Sequence, residues 1–305
     1  MTATSTTSRL TVGSAPDSWG VWFPDDPQQV PAERFLDEVA AAGYRWIELG
    51  PYGYLPTDPS ALQDALSARD LRVSAGTVFE HLHREDSWDS VWSQVSDVAG
   101  LAGSQGATHL VVIPDMWRDQ ADGSVIGERH LDAEAWRRKT SGMDRLGRAV
   151  REEYGMQVVF HPHADSHVDT GAAVERFLSD TDPEWVSLCV DTGHLSYCGG
   201  DNLAVIRDHP ERIGYVHLKQ VDPAVRARVE AEDLSFSAAV RLGAMVEPPR
   251  GVPDLPPVLE ALEALGRPLF CIVEQDLYPC APDVPYPIAQ RTHAYLAGCR
   301  PLRAR

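Results

Sequence analysis

Short apolar runs alternate along this chain with longer segments whose apolar residues recur at helical spacing. Eight runs have the length and β-branched content of strands, near residues 10–15, 45–49, 71–75, 108–113, 156–160, 186–190, 213–218 and 269–273. Between them, apolar residues three or four positions apart mark helices, at 35–39, 62–66, 88–98, 143–150, 174–178 and 258–262. Strands that alternate with amphipathic helices indicate a parallel sheet with crossover helices. We therefore predict an α/β fold, one (β/α)8 TIM barrel that spans residues 10–300 as a single domain.

Two long loops interrupt this alternation, near residues 114–131 and 222–257, and the second is rich in proline. Connections as long as 222–257 are usually functional, and we expect 114–131 to form a lid or a partner contact over the same face. The polar residues 1–9 are expected to form a flexible N-terminus.

Composition narrows the choice of partner and compartment. A formal net charge of −18 repels a phosphate backbone, which argues against nucleic acid and against an endonuclease on the same barrel. No apolar stretch approaches the roughly 18 to 20 residues that a membrane span needs. The N-terminus lacks the apolar core of a secretory signal, and the 5 cysteines lack CxxC spacing. We expect a cytoplasmic protein with reduced thiols.

Polar residues gather directly after the apolar strand cores, where a barrel of this type places its active site. Four of them, on four consecutive strands, form an imidazole and carboxylate set that we predict to bind a metal: His161, Asp191, His217 and Glu274. Such a set suits Mn²⁺, Co²⁺, Fe²⁺ or Zn²⁺ better than Ca²⁺ or Mg²⁺, and we expect Mn²⁺ first. Taken singly, each residue has another interpretation, a hydrogen-bonded histidine or a helix cap. The spacing leaves open whether His161 or His163 is the ligand.

Further residues near the strand ends are candidates for catalysis and substrate binding. His163 lies two positions after His161, on the same side of an extended strand, and His163 and His194 are the candidate acid/base groups. Lys219 could hold a substrate oxygen or a developing enolate, or it could be a surface lysine. Glu48 is a further acid/base or hydroxyl-binding candidate. An apolar wall for a sugar ring could come from three aromatic residues, which could equally pack against loops: Trp19, Trp22 and Tyr52.

The motifs at the strand ends are SAPDSWG, ELGPYGYLPTDP, HPH, DTGH, HLKQVD and VEQD. Together they resemble the sugar phosphate isomerase/epimerase superfamily, the xylose-isomerase-like barrels, and within it the inosose dehydratase family. The resemblance implies that Asp191, His217 and Glu274 are metal ligands. His161 stands where isomerases and epimerases of this fold often carry glutamate. That departure favours elimination over simple epimerisation.

The resemblance implies a divalent-metal-dependent lyase or isomerase of carbohydrate or inositol metabolism. Its substrate would be a keto-inositol or keto-sugar, from which a proton is removed next to the carbonyl. The alternatives are a sugar epimerase or isomerase, and a subunit that cleaves oxidised C-glycosides with a small partner chain. A non-catalytic sugar-binding subunit is the alternative from another class. Either a homo-oligomer or a small partner subunit is compatible with this resemblance.

Overall fold

The computed structural model describes residues 8–303, and within them eight parallel strands close into a barrel. The eight strands are β1 (Leu10–Ser14), β2 (Trp46–Glu48), β3 (Arg72–Glu80), β4 (His109–Pro114), β5 (Gln157–Phe160), β6 (Val186–Asp191), β7 (Ile213–Leu218) and β10 (Leu269–Val273). Around the barrel, neighbouring strands follow the order β1, β10, β7, β6, β5, β4, β3, β2. The predicted single-domain (β/α)8 TIM barrel is confirmed, and every predicted strand has its counterpart.

Helices pack around the outside of the barrel. Over residues 8–303 they are α1 (Ala32–Ala41), α2 (Pro59–Ser67), α3 (Trp88–Ser104), α4 (Ala133–Tyr154), α5 (Gly171–Asp180), α6 (Thr192–Tyr197), α7 (Asn202–Asp208), α8 (Pro223–Glu232), α9 (Phe236–Arg241), α10 (Leu255–Ala264) and α11 (Pro285–Gly298). The Asp58 side chain caps α2 by accepting the backbone N–H groups of Ser60 and Ala61. No described helix is both long and apolar enough to cross a membrane.

The core has two layers. One fills the inside of the barrel with inward-facing strand residues, which are Ala15, Ala75, Val111, Val159, Cys189, Tyr215 and Ile272. The other packs the outer faces of the strands against the helices, with Phe35, Leu62 and Phe177 fully buried. Because side chains alternate along a strand, the next inward-facing residues above the inner layer face the mouth of the barrel.

The two long segments cover the mouth together. Residues 222–257 contain α8 and α9, and β8 (Gln220–Val221) pairs antiparallel with β9 (Met245–Val246). Arg118, in the first segment, forms an ion pair with Asp233 in the second at 2.8 Å. The predicted flexible N-terminus falls mostly on residues 1–7, which lie outside the described residues.

Candidate active site

Four consecutive strands around the barrel bring the four predicted metal ligands to one point. One donor atom each from His161, Asp191, His217 and Glu274 lies within 4.8 Å of the others. All four side chains are buried. The register of the parallel strands helps to bring the ligands together, because Asp191 on β6 is the pairing partner of His217 on β7.

The DTGH motif fixes how Asp191 is presented. Asp191 is the N-cap of α6, and its Oδ1 accepts the backbone N–H of His194 at 2.7 Å. Its Oδ2 therefore faces the cluster. Thr192 ties this turn to β7, because its hydroxyl donates to the backbone carbonyl of Lys219 and accepts the Lys219 N–H. Gly193 is required here, since a Cβ would overlap the Lys219 side chain.

The orientation of His217 shows that the cluster suits a cation. Its Nε2 donates to Glu48 Oε1 at 2.7 Å, and Glu48 Oε2 accepts the Thr77 hydroxyl at 2.9 Å. His217 Nδ1 has no hydrogen-bond partner among the described residues and lies 2.9 Å from Glu274 Oε2 and 3.6 Å from Asp191 Oδ2. A lone pair that faces two carboxylate oxygens needs a proton or a metal ion between them. A carboxylate behind a metal-binding imidazole is the usual supporting arrangement.

Lys219 is buried at the centre of the acidic groups rather than on the surface. Its Nζ lies 3.2 Å from both Asp191 Oδ2 and Glu274 Oε2, and 2.8 Å from Asp276 Oδ2. Burial alone would lower the pKa of Lys219, but these carboxylates raise it well above its ordinary value. Burial likewise opposes ionisation of Glu274, yet His217 and Lys219 hold its pKa at about 2. The site therefore contains a fixed ammonium beside ionised carboxylates.

Burial keeps His163 and His194 neutral, and the backbone of one residue, Ala164, fixes the tautomers of both rings. His163 Nδ1 donates to the carbonyl of Ala164 at 2.7 Å, and the Ala164 N–H donates to His194 Nδ1 at 3.2 Å. Burial, with His161 nearby, lowers the pKa of His163 to about 3, and burial with His163 nearby lowers that of His194 well below its ordinary value. The unprotonated nitrogen of His163 is therefore Nε2. Because His163 lines the cavity at the mouth of the barrel, it has the geometry of a proton acceptor.

Comparison with known proteins shows the family of this chain. The model of the xylose isomerase-like TIM barrel family matches residues 36–297. The chain belongs to this family. Inosose dehydratase of Lacticaseibacillus casei is 31% identical over 291 residues, covering 94% of this chain and 96% of that relative. Inosose dehydratase of Geobacillus thermodenitrificans (strain NG80-2) is 30% identical over 293 residues, covering 95% and 97%. The crystal structure of the IolI protein with a bound zinc atom shares the fold, with a TM-score of 0.70 at 14% identity, covering 95% of this chain and 99% of that one.

Two of the three aromatic residues that we predicted to form an apolar wall for a sugar ring lie at the cavity of this xylose isomerase-like barrel, and one does not. Trp22 and Tyr52 line the cavity at the mouth, and Trp22 Nε1 donates to Asp276 Oδ1 at 3.2 Å. Trp19 does not reach the cavity. It is fully buried, packs edge-on against Phe35, and donates its indole N–H to Glu38 at 2.8 Å. Its alternative interpretation as a packing residue is the one that the structure supports.

Sequence reasoning missed two residues at the mouth of this family member, Asp17 and Phe236. Asp17 lines the cavity from the SAPDSWG turn, and burial together with Glu274 and Asp276 raises its pKa well above its ordinary value. The ring of Phe236, from α9, lies 4.7 Å from His194 and 5.2 Å from His163. Nothing in the sequence indicates that a carboxylate in a turn, or an aromatic residue in a long loop, will lie next to the predicted catalytic histidines and metal ligands.

Asp165 holds Phe236 in place. Its Oδ2 accepts the Phe236 backbone N–H at 2.6 Å. The φ of Asp165 is 60°, in the left-handed region, which aspartate tolerates better than most residues.

Proposed function

We propose that this chain is a divalent-metal-dependent enzyme that removes a proton next to the carbonyl of a keto-inositol or related keto-sugar, with loss of water as the principal outcome. It is an enzyme of the dehydratase or isomerase type, in keeping with inosose dehydratases that match nearly its whole length. The observation that carries the proposal is the neutral His163, with its free Nε2 on the cavity, beside a buried four-residue ligand cluster.

The residues of the cluster fit a divalent cation of the Mn²⁺ class. His161, Asp191, His217 and Glu274 would hold it, and the IolI protein, which shares the fold, binds zinc. A bound divalent cation polarises a carbonyl and stabilises the negative charge that develops on its oxygen. We propose Mn²⁺ because mixed imidazole and carboxylate sets suit it.

The side chains of this chain divide the remaining work. His163 Nε2 accepts the carbon-bound proton, and the Ala164 carbonyl, by accepting the Nδ1–H, leaves that nitrogen unprotonated and aimed. His194 acts as a positioning residue, because it accepts the Ala164 backbone N–H and its ring lies 3.9 Å from that of His163. The Lys219 ammonium supplies positive charge next to the reacting oxygen and stabilises the enolate.

The state of Glu48 favours elimination over epimerisation. Epimerisation at carbon needs an acid/base group on each face of the reacting centre, and Glu48 is the second candidate. Both of its oxygens are engaged, one by His217 and the other by Thr77. One base on one face is sufficient for loss of water, because the imidazolium that forms when His163 accepts the carbon-bound proton can give that proton to the departing hydroxyl group, which leaves as water while the C–O bond breaks.

The test is incubation of the Mn²⁺-loaded protein with 2-keto-myo-inositol in deuterium oxide, followed by mass spectrometry and product identification. We expect deuterium incorporation and a product lighter by one water, both abolished in His163→Ala. Deuterium incorporation without loss of water would instead identify an epimerase or isomerase. Neither event with any of a set of keto-inositols, ketohexoses and oxidised glycosides would refute the proposal and favour a non-catalytic sugar-binding role. Turnover of an oxidised C-glycoside only after addition of a small co-purifying chain would identify the glycoside-cleaving alternative.

A further inference from the structure

The cavity above the ligand cluster is chemically divided into two halves. Its volume is about 430 Å³, within the range of pockets that enclose drug-sized ligands. In the closed strand order, β3 lies across the barrel from β7, and β4 lies across from β10. The polar half is the side of β7 and β10, which carry His217 and lead to Glu274. The other half, which we call the apolar wall, is formed by Pro24, Pro51, Phe79, Val98 and Ile113.

The apolar wall follows from strand alternation. Ala75 and Val111 belong to the inner layer of the barrel, so Phe79 and Ile113, at even spacing above them, face the mouth. These two residues are also register partners across β3 and β4. The ends of β5, β6 and β7 therefore carry predicted metal ligands, whereas the ends of β3 and β4 carry the phenyl ring of Phe79 and the branched alkyl group of Ile113.

Several polar atoms near the apolar wall are already engaged. The Thr77 hydroxyl donates to Glu48, and Gln94 Oε1 accepts the Phe79 backbone N–H at 2.7 Å. Gln120 donates its amide to the sulfur of Met116. A polyol carries hydroxyl groups around its whole edge, and those turned toward this side would lose water and gain few partners beyond the remaining amide atoms of Gln94 and Gln120.

From this division we infer that the preferred substrate is a keto-polyol that carries an apolar substituent, aryl or branched alkyl. The keto-polyol ring occupies the polar half and the substituent lies against Phe79 and Ile113. This inference rests on the proposed function for the ring and adds the substituent. A sugar or inositol ring without a substituent can stack on one aromatic side chain, such as Trp22. It does not need the apolar wall as a second apolar surface.

Binding tests the apolar wall without turnover. Calorimetry with the Mn²⁺-loaded protein compares phenyl β-D-glucopyranoside with methyl β-D-glucopyranoside. We expect the phenyl compound to bind about tenfold more tightly or better, with a more negative heat-capacity change, because it buries more apolar surface. Equal affinity and equal heat-capacity change for the two compounds would overturn the inference.

A matched pair of variants locates the contact. Ile113→Thr should reduce the preference for the phenyl compound about fivefold, because it replaces the ethyl branch of the side chain by a hydroxyl group. Ile126→Thr is the same substitution at an exposed loop position outside the cavity and should leave the preference unchanged. If Ile113→Thr retains the full preference, the inference is wrong. If thermal melting shows that Ile113→Thr does not fold, the wild-type comparison of the two glucosides decides.

Turnover separates this inference from the proposed function. Solvent deuterium exchange is measured for a keto-inositol and for its phenyl ether, with Mn²⁺ present. We expect kcat/KM to be about tenfold higher or more for the ether. Equal values, or exchange with the unsubstituted compound alone, overturn the inference and leave the proposed function in place. Exchange with neither compound overturns both.

Discussion

Replacement of Glu48 by glutamine tests whether this buried carboxylate supports the metal site or transfers protons itself. The Glu48 and His217 side chains are each 1% exposed, and their hydrogen bond is 2.7 Å long. A hydrogen bond to a charged group contributes about 1.5–3 kcal/mol, which corresponds to roughly 10- to 100-fold in an equilibrium constant. Loss of such a supporting carboxylate typically weakens metal binding by about the same factor.

We therefore expect Glu48→Gln to raise the Kd for Mn²⁺ by about 10- to 100-fold. The assay is isothermal titration of Mn²⁺ into protein stripped with a chelator. Glu38→Gln is the matched control, because Glu38 also accepts a ring N–H, that of Trp19, but lies outside the ligand cluster. An unchanged Kd in Glu48→Gln, with a loss of kcat at saturating Mn²⁺, would refute the supporting role and indicate acid/base chemistry.

Three further predictions address the base, a buried ion pair and pH. His163→Ala should lower kcat by about 10²- to 10⁴-fold and leave the Kd for Mn²⁺ unchanged; full activity would exclude His163 as the base. Lys139→Met leaves the buried Glu80 carboxylate without its ion-pair partner and should lower the free energy of unfolding in urea by about 3–5 kcal/mol. Adding Glu80→Gln should restore part of that free energy. A loss below about 1 kcal/mol in Lys139→Met would contradict this prediction. Burial lowers the pKa of His109 to about 4, so the unfolded chain binds more protons below pH 6.5. As the pH drops from 6.5 toward 4, the free energy of unfolding should therefore fall by roughly 2 kcal/mol less in His109→Gln than in the unsubstituted protein, and equal slopes would show that His109 is not responsible.

Periodicity was sufficient to predict the barrel but misplaced the end of one strand. The sequence indicated a third strand at 71–75, whereas β3 runs from Arg72 to Glu80. The extension is stabilised by pairing with β4, from Gly76 opposite Leu110 to Glu80 opposite Pro114. Pairing between two strands cannot be seen in the sequence of one of them. Because the predicted strand ended at residue 75, Thr77 and Phe79 were not recognised as residues that face the cavity.

Helices were missed where amphipathicity is weak. α11 buries only Pro285, Ala289, Thr292 and Leu296 of its 14 residues, and it begins with two prolines. α8 buries only Val229, so its pattern resembles that of a loop. These helices form because the barrel and the long segment provide surfaces for them, not because of their own periodicity.

The ligand cluster was predictable because the fold dictates where strand ends meet, whereas its supporting contacts were not. The bond from His217 to Glu48 joins residues 169 positions apart, and the buried pair of Lys139 and Glu80 joins residues 59 apart. Lys139 lies on a helix that is otherwise rich in charged residues, and nothing in its sequence context distinguishes it from them. The tautomers of His163 and His194 likewise depend on the backbone N–H and carbonyl of Ala164, which only the folded chain brings between the two rings.

Anomalous diffraction from crystals soaked in Mn²⁺ tests the central proposal most directly. We predict one strong peak enclosed by His161, Asp191, His217 and Glu274, and its loss in crystals of Asp191→Asn. Mn²⁺ bound elsewhere, or a protein that excludes it from this cluster at saturating concentration, would contradict the metal-dependent function proposed for this chain.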